Sequence, residues 1–245
     1  DWAQRCHNFA ILARLARRAG LKGIMFDDEE YGEGCVFNYE ILRRRNAVHG
    51  KNLAETQAKA RQRGREFARA ICKEFPDIVF WTLHGYGTPA HLIEYGLPKF
   101  GRRLEAPFFD GMLEGSSEQM VFVDGGELAY GYNTREQFEH GRKMILEEPI
   151  RMGLTKVPNL FRKKVRCGFG LWPDYYGKLK PGEPDKSYFS PGRFQRALYW
   201  ALNVSDGYVW LYGQSWSWWL EGPDDRAPVD VSQGTHGLPL AYWKA

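Results

Sequence analysis

GLKGIMFDDEEYG, residues 20–32, is the stretch on which the reading of the fold turns. Gly20 is a natural stop for a preceding helix. Leu21-Lys22-Gly23-Ile24-Met25-Phe26-Asp27 then reads as a short buried strand that ends in acid, followed at once by Asp28, Glu29 and Glu30. Upstream, residues 3–18 are expected to form a helix, with Phe9, Leu12, Leu15 and Ala16 on one face and Arg14, Arg17 and Arg18 off it. Downstream, residues 28–38 form a loop rich in acid, Gly and Tyr.

The same alternation runs to the end of the chain. A long helix is expected over residues 53–75, with Asn52 able to cap it and Pro76 to end it. Ile78–His84 is the next strand. Ala106–Leu113 and Met120–Asp124 could both be strands, but too few residues separate them for a parallel crossover of about a dozen or more. Residues 104–115 are therefore read as a helix, and 119–124 as the strand, on the β-branched and aromatic run Val121-Phe122-Val123. Thr134-Arg135-Glu136-Gln137 is a capping-box pattern opening a helix towards Met144 and Leu146. Val165–Trp172 is another strand, and residues 173–189 a loop of Pro, Gly, Lys and Tyr. Ser190-Pro191 opens a helix to about Asn203, and Tyr208–Tyr212 is the last strand.

Strands alternating with helices imply an α/β protein with a parallel sheet and crossover helices. An open doubly wound sheet and part of a barrel both fit. No Gly-rich phosphate loop joins a strand to a helix; Gly32 and Gly34 are too sparse and too acidic in context. The expectation is a (β/α)8 TIM-barrel-like fold in which residues 1–245 form a single domain with about five β/α units, its strands 4–8. Three earlier strands, on the order of 80 to 120 residues, would then lie upstream, or a partner chain would complete the barrel.

Composition sets limits. The net charge of +4 is too weak to argue for nucleic acid. No apolar run approaches the roughly 20 residues of a membrane span. Cys6, Cys35, Cys72 and Cys167 are widely spaced without a CxxC, which argues against zinc and assigns no disulfide. No organic cofactor and no metal is expected. Aromatics are unusually rich at 15%, with nine Trp and thirteen Tyr, so rings are available both for a core and for stacking on sugar faces.

The carboxyl ends of the expected strands are polar one after another, which is where parallel sheets collect their functional groups. Asp27 and Glu29 are the first candidates. Two apart in an extended segment, they would point to one side. Like charges held close favour one proton donor and one carboxylate, the division that glycoside hydrolysis needs. A solvated acidic loop is the competing reading. Glu127 follows Asp124-Gly125-Gly126, whose glycines let backbone approach a ligand closely; a surface turn would use the same residues. His84 could bond a sugar hydroxyl or tune a carboxylate, or be a structural histidine. Asp124, Tyr130, Trp172, Asp174, Tyr175, Gln214, Trp216 and Trp218 are candidates to line the substrate site, with core packing the competing use of the rings.

GLKGIMFDDEEYG (20–32), MVFVDGGELAYGY (120–132) and SPGRFQRALYWALNVSDGYVWLYGQSWSWW (190–219) together resemble bacterial proteins related to TIM-barrel glycoside hydrolases, over most of the chain. The Asp-x-Glu is also similar to the acid motif of chitinase-like hydrolases. The resemblance implies a secreted or periplasmic enzyme acting on glycans, with Asp27 and Glu29 as the acidic pair and Glu127 as partner. It also implies an acid after the last strand, where this chain has Gln214.

The sequence thus predicts a glycoside hydrolase acting on a poly- or oligosaccharide. Glu29 would be the general acid, Asp27 its tuning partner and Glu127 the base or nucleophile. A non-catalytic glycan-binding barrel is one alternative. A metal-assisted hydrolase using Asp27, Glu29, His84 and Asp124, with Mg²⁺ or Ca²⁺ favoured by oxygen ligands, is another.

Overall fold

The computed structural model describes residues 1–29, 36–97, 103–180, 182–214, 216–217, 236–237, 242 and 244. The chain divides into two compact units, the first comprising Asp1–Gly126 and Gly141–Cys167, the second Glu127–His140 and Gly168–Ala245.

In the first unit, helix α1 (Trp2–Arg18) leads into strand β1 (Gly23–Phe26). A short α2 (Tyr39–Arg44) and the long α3 (Leu53–Glu74) precede β2 (Val79–Thr82). Then α4 (Gly87–Glu94) and α5 (Glu105–Gly115) lead to β3 (Val121–Asp124). The expected cap on α3 is present in full: Glu55 N–H donates to the Asn52 side chain at 3.0 Å, and Asn52 N–H to the Glu55 carboxylate at 2.9 Å. Residues 104–124 divide as expected, into helix α5 and strand β3.

The strands pair in parallel with Phe26, Thr82 and Asp124 in register at their carboxyl ends. Val165–Cys167, the start of β4 (Val165–Leu171), adds to β3. Phe67, Ile71, Phe80, Phe109, Phe122 and Phe161 are buried together with Ala13 and Ala16 of α1. Helices α3 and α5 touch backbone to backbone. A Cβ at Gly64 would lie 1.9 Å from Phe108 O, and one at Gly111 1.9 Å from Arg61 O, so only glycine fits at either position. Arg61 clamps this contact by donating to both oxygens of Glu114, at 3.0 and 2.6 Å. Under the sheet, the Lys164 ammonium, at the end of α8 (Pro158–Lys164), donates to Leu113 O, Ser116 Oγ and Ser117 O.

In the second unit, Gly168–Leu171 of β4 pair in parallel with β5 (Tyr208–Leu211), and α9 (Pro191–Val204) packs on β5. Ser190 caps α9, its hydroxyl accepting from Arg193 N–H at 3.4 Å. Its buried rings include Phe138, Phe169, Phe189 and Phe194. The box at Thr134 forms: Gln137 N–H donates to Thr134 Oγ1, and Gln137 Oε1 accepts from Asn133 and Thr134 N–H. The helix it opens, α6, covers Arg135–Leu146. A small parallel pair, β6 (Trp216–Ser217) with β7 (His236–Gly237), and the four-residue helix α7 (Glu148–Arg151) of the first unit complete the elements described.

The expectation of a (β/α)8 TIM-barrel-like fold is corrected by this topology. The α/β sheet has five parallel strands in the order β1-β2-β3-β4-β5. Among the described residues β1 pairs only with β2, and β5 only with β4. Alternation of strands and helices specifies parallel pairing between neighbours. It carries no information on three further strands, and none that would extend this sheet into an eight-stranded barrel is among the described residues.

Candidate functional site

The shared register of β1, β2 and β3 brings three chain ends to one edge of the first unit's sheet, the carboxyl edge where open parallel sheets bind ligands. Asp27, Asp28 and Glu29 leave β1 there, Leu83 and His84 leave β2, and Asp124 is the last residue of β3.

The three acids after β1 take three different roles. Asp27 is exposed, and its Oδ1 accepts the backbone N–H of Glu29 at 2.8 Å, closing a tight turn. Asp28 is buried at 3% exposure, and its Oδ1 accepts His84 N–H at 3.0 Å, tying the end of β1 to the end of β2. Glu29 presents Oε1 at 4.0 Å from His84 Nε2. The other ring nitrogen, Nδ1, lies 3.2 Å from the Thr88 hydroxyl, on the first turn of α4. With Nδ1 engaged by Thr88, Nε2 is the nitrogen that faces Glu29.

Asp124, the last residue of β3, is buried at 1% exposure. Its Oδ2 accepts Gly87 N–H at 2.8 Å and its Oδ1 accepts Gly126 N–H at 3.2 Å. Burial pushes its carboxyl up to about 6; the backbone donors pull it down, and the nearby charge of Asp28 raises it further. The glycines around it make room. A Cβ on Gly85 would stand 2.4 Å from the Asp124 carboxyl, and one on Gly125 2.3 Å from Thr82 O.

Asp27, Glu29, His84 and Asp124, all singled out in the sequence, thus fall within one unit and on one edge. Asp27 reaches Glu29 through its backbone N–H. Two participants carried weaker sequence signals. Asp28 was one of four successive acids, and only its burial distinguishes it. Thr88 lies four residues after His84, at the start of a helix whose Gly-Tyr-Gly-Thr-Pro opening reads as a turn.

The remaining candidates belong to the second unit. Glu127, buried at 8% exposure, opens the 3-10 turn Glu127–Ala129. Tyr130 packs against Trp172, Trp210 and Tyr212, with ring centroids 5.5, 5.3 and 5.4 Å away. Trp172, 6% exposed, also meets Tyr175 and Tyr176. These rings pack on one another, and of this set Tyr176 is the one turned outward, at 68% exposure. Gly170 and Gly131 admit them, since a Cβ at either would stand 2.8–2.9 Å from a ring atom. Asp174 is buried and Gln214 exposed. Trp216 is described by its backbone in β6, and Trp218 lies outside the described residues.

No family model matches the chain. Residues of this chain are 25% identical over 75 positions to a ribonuclease Z of Staphylococcus saprophyticus subsp. saprophyticus. That similarity covers 31% of this chain and 24% of the relative, so the chain spans about a quarter of the length of the curated protein it matches. The relative is not a TIM-barrel glycoside hydrolase, and the barrel expectation draws no support from it.

Proposed function

We propose that the protein is a glycoside hydrolase in which Glu29 is the proton donor to the leaving oxygen. The observation that carries this reading is the Glu29–His84 pair, 4.0 Å apart at the carboxyl edge of the sheet. Asp28 fixes the backbone of His84 from below, and Thr88 fixes its ring. An acid positioned beside an imidazole can hold a proton at a defined point and be recharged after it is given up. Asp27 acts as a positioning residue through the Glu29 backbone. The aromatic content of 15% favours a carbohydrate among possible substrates.

The test is a glycan hydrolysis screen of the parent beside Glu29→Gln, with detection of new reducing ends and of binding. Turnover in the parent that collapses in the variant, with binding retained, supports the reading. Equal glycan binding and no turnover in both makes the protein a glycan binder.

A second reading is a metal-assisted hydrolase. Glu29 Oε1 and His84 Nε2, 4.0 Å apart, are spaced so that one divalent ion could be bound by both. The partial likeness to a protein named as a ribonuclease is compatible with hydrolysis of another substrate class. Turnover that chelator abolishes and Mg²⁺, Mn²⁺ or Zn²⁺ restores would select this reading.

A further inference from the structure

A chamber of about 440 Å³ opens beside Glu29 in the first unit, with Asp27, Asp28 and Glu29 among its lining residues. Six of its lining residues are aromatic: Trp2 and Phe9 of α1, Phe67 of α3, Phe108 of α5, and Phe26 and Phe37. The rings hold one another in place. Trp2 meets Phe108 edge-on at 6.3 Å, and Phe9 meets Phe67 at 4.7 Å. Two of its cations are engaged along α3 itself: Lys59 Nζ donates to Gln62 and Arg63 to Glu66, at 2.8 and 2.6 Å. Acid therefore lines a space that rings share with the aliphatic Val36, Leu42, Ala60 and Leu104.

From this juxtaposition we infer that the chamber receives the leaving group of the substrate, and that this group is an apolar alcohol or phenol, aromatic or branched. The inference rests on the reading of Glu29 as proton donor. A cavity of on the order of 150 Å³ holds a benzene ring, so about 440 Å³ accommodates one substituted ring or a branched chain with room to spare. The aromatic and aliphatic part of the wall takes up an apolar group without loss of hydrogen bonds, because such a group makes none in water. In the reaction, the bond between the anomeric carbon and the leaving oxygen breaks. Glu29 gives its proton to that oxygen, so the leaving group departs as a neutral alcohol or phenol. Water supplies hydroxide to the anomeric carbon and a proton that restores Glu29.

The test uses p-nitrophenol alone as a binding probe, read by titration calorimetry, with paired p-nitrophenyl and methyl pyranosides as substrates. Ala60→Phe and, separately, Thr56→Trp fill the chamber from α3, where both residues line it. The expected result is p-nitrophenol binding that falls tenfold or more in both variants. Aryl pyranosides should be turned over at least tenfold faster than methyl ones by the parent, with that preference lost in the variants. Either variant alone suffices if the other does not fold, as checked by circular dichroism. Binding and preference unchanged in a folded variant overturn the chamber while leaving the hydrolase intact. Binding lost in the variants with no pyranoside turned over by the parent overturns the reading of Glu29, and the inference with it.

Discussion

Asp124→Asn isolates the electrostatic cost of the buried carboxylate at the end of β3. Its carboxyl is raised from 3.8 to about 6, chiefly by burial. At 1.36 kcal/mol per pH unit this corresponds to about 3 kcal/mol. The sign follows from which state holds the proton. Below about pH 3 the group is protonated in both folded and unfolded chains and costs nothing. As pH rises towards about 6 the unfolded chain releases its proton first, so stability falls, and above about 6 the full penalty applies. Asn carries no charge at any of these values. It cannot accept from both Gly87 and Gly126 N–H, so it loses a hydrogen bond, but that loss is independent of pH. The advantage of the parent over Asp124→Asn should therefore shrink by about 3 kcal/mol between about pH 3 and pH 7. Urea unfolding of both proteins across that range, followed by tryptophan fluorescence, measures it. A difference that stays flat, or grows with pH, would refute the reasoning. Asp28→Asn, which removes the neighbouring negative charge, should lower the Asp124 midpoint.

Gly64→Ala should cost at least about 2 kcal/mol, because its Cβ would meet Phe108 O at 1.9 Å and force α3 and α5 apart; thermal melts of parent and variant check this. Lys164→Met leaves the acceptors at Leu113, Ser116 and Ser117 without their buried ammonium donor and should cost about 2–4 kcal/mol in urea unfolding. Gly85→Ala, whose Cβ would stand 2.4 Å from the Asp124 carboxyl, should disturb the site, with the His84 imidazole resonances as the readout.

Much of this structure was legible in local patterns. Asn52, Thr134 with Gln137 and Ser190 before Pro191 marked helix starts that form where expected. The apolar runs ending in Asp27, His84 and Asp124 located three parallel strands and, with them, most of the acid edge. Short helices were harder. The residues of α4, α7 and α8 offer too few turns to show a period, and α4 opens with glycine and proline. The distinct roles of Asp27, Asp28 and Glu29 depend on which side chain the turn buries, which a run of four acids does not reveal. Trp172 looked suited to core and to cleft alike, and Tyr130 to the cleft; Gly131 and Gly170 leave the room in which rings around them pack. The barrel expectation extended a pattern of five neighbouring strands to eight, a number that no local pattern encodes.

The most direct test of Glu29 as proton donor compares Glu29→Gln with the parent on two pyranosides of one sugar, one with a 2,4-dinitrophenyl leaving group and one with a methyl group. A leaving group that departs unaided as an anion does not need the acid, whereas methoxide does. The account predicts a loss of about 100-fold or more on the methyl pyranoside and little loss on the dinitrophenyl one. Equal losses on both substrates, or no turnover of either by the parent, would contradict it.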